Sequence, residues 1–102
     1  MSNHYALINK MTAKPGKRDE VIHILLESGK PFNDITSCIL YLVYKDKNNP
    51  NVIWVEDVWT NQDDHAVAMN TPQMRSNIAK SLTVLESMPE QIEVVLAGGK
   101  GL

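Results

Sequence analysis

From Tyr5 to Thr12 the chain alternates, with Tyr5, Leu7, Asn9 and Met11 on one side and Ala6, Ile8, Lys10 and Thr12 on the other. A period of two is the signature of a strand. It places one polar residue, Asn9, on the same side as three apolar ones. Lys14-Pro15-Gly16 breaks the pattern. Over residues 17–28, Val21, Ile24, Leu25 and Ser28 then recur at helical spacing, with Glu20, His23 and Glu27 opposite. Gly29 is expected to end this helix and Pro31 to prevent its resumption.

The run 37–44 is apolar on both faces, with Ile39, Tyr41 and Val43 on one side and Cys38, Leu40, Leu42 and Tyr44 on the other. Such a strand has to be covered twice. A polar turn through Asp46, Asn48, Asn49 and Pro50 leads to a third strand, Val52 to Trp59, so the two strands are expected to pair as an antiparallel hairpin. Thr60 or Asn61 can cap a short helix reaching Met69, with Asp63 and Asp64 in its first turn. Thr71-Pro72 then reads as a fresh N-cap with proline at the first helical position, and Met74, Ile78, Leu82 and Leu85 form a stripe to about residue 87. Residues 91–97 read as a last strand, again apolar on both faces, before the tail Gly98-Gly99-Lys100-Gly101-Leu102.

The resulting order is strand, helix, strand, strand, helix pair, strand. It predicts an α+β fold of the ferredoxin-like βαββαβ type, with an antiparallel sheet covered by helices on one side. The second and fourth strands are apolar on both faces, so the other side of the sheet needs a cover that a homodimer would supply.

Length and composition narrow the function classes. At 102 residues the chain is expected to form one domain, residues 1–102. A net charge of -2 gives no electrostatic footprint for nucleic acid or acidic lipid, which leaves a small molecule or a protein as the expected partner. The N-terminal residues are too polar for a signal peptide, no segment approaches a membrane span, and the lone cysteine, Cys38, lies among apolar residues. A cytoplasmic protein is expected.

Few residues offer chemistry. His4, His23 and His65 share no metal-ligand spacing, and no nucleophile elbow is present. The Gly98–Gly101 run has no following helix to present N–H groups to a phosphate. What remains is the third strand and the helix after it. Alternation puts Asp57 and Trp59 on one face, with Trp54 and Glu56 on the other, and His65 follows within two helical turns. A carboxylate, an indole and an imidazole can converge there. His65 then serves as a general base or holds an oxyanion, which suits proton abstraction from a phenol or an acidic carbon. Each residue also has a structural reading: a histidine early in a helix often only bonds a carboxylate, and a tryptophan is more often core than pocket.

The stretches INKMTAKPGKRDEVIHILLE, IWVEDVWTNQDDHAVAMNTPQM and GGKGL, with the strand around Cys38 and Tyr41, resemble the antibiotic biosynthesis monooxygenase family in its quinol monooxygenase branch. The tryptophan followed six residues later by histidine, with the GGKGL end, is the most specific part. The resemblance implies a dimeric α+β barrel, a pocket between sheet and helices, and oxidation of a small aromatic or quinol-type substrate by O₂ without any cofactor. By position it assigns catalytic roles to His65, Asn9 and Trp59, and substrate contact to Asp57 and Tyr41; Met69 and Met74, on the helices that follow, are expected to contact the substrate as well. The family's haem-degrading members need a tryptophan and a histidine where this chain has Ala68 and Ile78, so haem degradation is not expected. A ligand-binding or stress-response dimer without turnover, and an enolising isomerase, are the alternatives on the same fold.

Overall fold

The computed structural model describes residues 4–101. Four strands, β1 (Tyr5–Thr12), β2 (Cys38–Lys45), β3 (Val52–Trp59) and β4 (Glu90–Val95), alternate with the helices α1 (Arg18–Gly29), α2 (Gln62–Met69) and α3 (Pro72–Leu82). They form one antiparallel sheet in the order β2-β3-β1-β4, the expected ferredoxin-like topology. Both helix starts after β3 are capped as their sequences require. The Asn61 side chain accepts from the Asp64 N–H at 2.8 Å, and Thr71 Oγ1 accepts from the Met74 N–H at 3.2 Å.

One face of the sheet carries the helices. Val21 and Leu25 of α1 pack on Ile53 and Val55, and at the other end Phe32, Ala68 and Met74 enclose Trp59. The strand register puts Tyr5, Leu7, Asn9 and Met11 on this face beside Trp59, Asp57, Val55 and Ile53. The opposite face is open, with Leu42, Tyr44, Ile92 and Val94 exposed on it.

Two local expectations are corrected. A bulge between Cys38 and Leu40 shifts the β2 register, so Cys38 pairs with Trp59 and shares the helix-covered face with Tyr41. Strict alternation had put the two on opposite faces. Helix α3 stops at Leu82, not near residue 87, because Val84 and Leu85 turn inward to buried positions and Leu85 bridges Ala13 beside β1. Helix α1 ends at Gly29 as expected, and the chain continues directly into a 3-10 turn, Lys30–Asp34, with no left-handed residue at the junction. The glycine is needed for space: a Cβ there would lie 2.5 Å from Cε2 of Tyr41.

Candidate active site

A cavity of about 400 Å³ lies between the helix-covered face of the sheet and α1, α2 and α3. Its floor is Leu7, Asn9, Val55 and Asp57, its walls include Ile24, Tyr41, His65 and Met74, and Ile78, Leu82 and Met88 form an exposed apolar lip. Six residues expected at the site, Asn9, Tyr41, Asp57, His65, Met69 and Met74, therefore border one space. Trp59 stands behind them: it is fully buried, lies off the cavity wall, and donates its indole N–H to Asp57 Oδ2 at 2.7 Å.

The inner end is built around Asp57. It is 4% exposed, a rare position for a carboxylate. Burial pushes its pKa above the ordinary value, while the Trp59 hydrogen bond and the nearby His65 work the other way. His65 Nε2 lies 3.9 Å from the same Oδ2, too far for a direct hydrogen bond and close enough for an ion pair once the imidazole is protonated. Burial holds the imidazole below its usual pKa, against the opposing pull of Asp57 and then Glu93. The His65 shift favours the uncharged ring, so neutral imidazole is available as a proton acceptor near pH 7.

The ring of His65 is fixed between two aromatic neighbours, Tyr5 at 5.2 Å and Trp59 at 5.3 Å between centroids. Tyr5 in turn donates its hydroxyl to Glu93 on β4. Burial and this bond raise the Tyr5 pKa to about 12, so the hydroxyl stays protonated. Tyr41 donates its hydroxyl to the Leu25 carbonyl at 3.0 Å, and burial pushes its pKa well up. It can offer a ligand only lone pairs while that bond stands. Sequence reading had left out Tyr5, Glu93, Asn77 and Gln91. Tyr5 was within reach, since it shares the strand side of Asn9. The others depend on which strands and helices become neighbours. Among the described residues no group of three His, Cys, Asp or Glu side chains could hold a metal ion.

The family model for antibiotic biosynthesis monooxygenases matches residues 4–80, most of the chain. A Chloroflexus aurantiacus protein assigned to the same monooxygenases is 34% identical over 96% of this chain and 97% of its own, with a TM-score of 0.84. The chain belongs to the antibiotic biosynthesis monooxygenase family. Its fold recurs in SnoaB, a cofactor-independent oxygenase from Streptomyces nogalater, at a TM-score of 0.85 and 13% identity over 97% of this chain and 98% of that one. A Nitrosomonas europaea protein assigned to the family gives a TM-score of 0.89 at 9% identity over 99% of this chain and 97% of that one. Among curated proteins none matches the sequence. Within the family, this member presents a buried carboxylate, a histidine clamped by two rings and a cavity lined mostly by apolar side chains. No helix among its described residues is long and apolar enough to cross a membrane.

Proposed function

We propose that this protein is a homodimeric, cofactor-independent monooxygenase that oxidises a small phenolic or quinol-type aromatic with O₂. The observation that carries the reading is the Asp57–His65 pair at the inner end of a cavity lined mostly by apolar side chains. A phenol entering that cavity meets a neutral imidazole that can take its proton, and the imidazolium so formed lies beside the carboxylate of Asp57. The resulting phenolate is electron-rich and passes an electron to O₂ directly. Recombination and loss of water complete the exchange: one oxygen atom becomes a carbonyl on the attacked ring carbon, and the other leaves as water with the two hydrogens removed from the substrate. For a naphthol the products are a naphthoquinone and one water. The protein supplies a proton acceptor, a place for the developing anion and exclusion of bulk water.

Family membership and the fold shared with SnoaB, itself a cofactor-independent oxygenase, support this reading. So does the open volume. Met69, Met74 and Trp59 do not collapse into it, as they would in a protein that kept only the fold. The exposed apolar residues of the free sheet face support the homodimer, in which two sheets cover one another. Oxygen uptake by purified protein given 1-naphthol, 1,4-dihydroxynaphthalene or anthrone tests the activity. A rate well above background is expected, and no protein-dependent uptake with any of the three would refute it.

A further inference from the structure

The polar groups of the cavity fall into two poles. Asp57 and His65 form the inner one. The outer one is made of carboxamides: Asn9 on β1 and Gln91 on β4 are direct cross-strand partners on the cavity floor, and Asn77 lines the same space from α3. Asp57 pairs with Leu7, and Asn9 pairs with Val55, so Leu7 and Val55 are the apolar floor between the poles. Strands about 4.8 Å apart and a same-face step of about 6.8 Å put the Cα of Gln91 roughly 12 Å from that of Asp57, with Asn9 between at roughly 8 Å. Side chains rising in parallel from these positions, each spending about 2.8 Å on a hydrogen bond, leave roughly 6 Å between the ligand atoms they hold. That is the span of two oxygens set para across one aromatic ring.

The other polar groups of the lining are already engaged. Ser28, Ser81 and Tyr41 donate their hydroxyls to the carbonyls of Ile24, Ile78 and Leu25, and Asn77 accepts from Gln73. Asn9 and Gln91 have no such side-chain partner among the described residues. A carboxamide both donates and accepts, so the pair can serve a hydroxyl or a carbonyl equally. Among the described residues the lining contains no lysine or arginine, and an anionic group would enter without a counter-charge and in the field of Asp57.

We infer that Gln91, together with Asn9, is the outer hydrogen-bonding anchor of the cavity and selects aromatic ligands carrying a second, uncharged oxygen at the end remote from Asp57 and His65. The inference rests on the aromatic-ligand reading above and adds to it a residue that sets orientation and specificity. Anaerobic titration calorimetry with 1-naphthol and 1,4-dihydroxynaphthalene tests it. The parent is expected to bind the diol about tenfold more tightly, the scale of one good hydrogen bond to a ligand oxygen. In Gln91→Leu, and independently in Gln91→Ala, that preference is expected to shrink to about twofold or less. An unchanged preference in both variants, or none in the parent, overturns the role of Gln91 while leaving the aromatic reading intact. Failure of the parent to bind either naphthalene overturns both.

Discussion

Asp57 illustrates what a working site asks of a single residue. Its folded-state pKa lies above the unfolded value because burial outweighs the Trp59 hydrogen bond and the charge of His65. A carboxylate shifted in that sense favours the fold most at low pH, and its contribution is lost as pH rises through the folded pKa. At pH 7, well above the ordinary carboxylate pKa, the raised native pKa therefore opposes folding. Asp57→Asn, which keeps an acceptor for the Trp59 N–H, is expected to be more stable than the parent by about 1 kcal/mol at pH 7 while losing activity. The advantage should shrink as pH falls through the native pKa of Asp57 toward the ordinary carboxylate value, as urea denaturation at several pH values would show.

His65 runs the other way. Its pKa is lowered by burial, so its contribution to stability is complete above the ordinary histidine value and is lost as pH falls through the folded value. The same shift sets the activity. The rate should rise with pH to a plateau, with the midpoint of the rise below the ordinary histidine pKa of about 6.5, and His65→Ala should lower kcat by about 10²-fold or more and remove that limb. A pH–rate profile of the two proteins checks both statements. Strand alternation alone put Asn9 with Leu7, and Asp57 with Trp59, on common faces, which is why so much of the cavity floor could be read in advance. It could not separate Trp59, which holds Asp57 from behind, from a residue that faces the cavity, because both roles occupy the same strand face.

At the scale of elements, the fit between α1 and β2 is governed by Gly29. Helix propensity alone would favour alanine there by about 1 kcal/mol, yet a methyl group would meet the Tyr41 ring at 2.5 Å. Steric conflict between a helix end and a ring hydrogen-bonded to Leu25 should win. Gly29→Ala is expected to destabilise the protein by about 1–3 kcal/mol, and Gly29→Ala with Tyr41→Leu should recover part of that loss. Thermal and urea denaturation of the single and double variants measure it. The two caps, the β2–β3 hairpin and the split of the helical region into α2 and α3 were legible in Asn61, Thr71-Pro72 and the Asp46–Asn51 turn. The face of Cys38 was not, since a bulge adds one residue and inverts the alternation without leaving a glycine or proline to mark it. The end of α3 was hidden for a related reason: Leu85 fits the helical stripe equally well whether it continues the helix or turns to bridge Ala13.

The whole molecule is one twisted sheet with its working parts on one side and an unfinished surface on the other. Leu42, Tyr44, Ile92 and Val94 are exposed on the open face, around a centre that includes Trp54, whose indole donates to Asp46 at 3.0 Å. An apolar face of this kind fits a second copy of the chain. A Leu42→Asp/Ile92→Asp double variant should shift the protein from dimer to monomer in light scattering at micromolar concentration, and an unchanged mass would remove the sheet face as the interface. The β-order that creates this face also brings residue 91 beside residue 9. No local pattern in the sequence announces that neighbour, and the outer pole of the cavity depends on it.

The central claim is that the cavity transfers one atom of O₂ to an aromatic bound against His65. Turnover of 1-naphthol under ¹⁸O₂, followed by mass spectrometry of the product, tests it most directly. One labelled oxygen per product molecule is predicted for the parent, with a yield lowered about 10²-fold or more in His65→Ala. A product without label, or equal labelled yield from the two proteins, would contradict it.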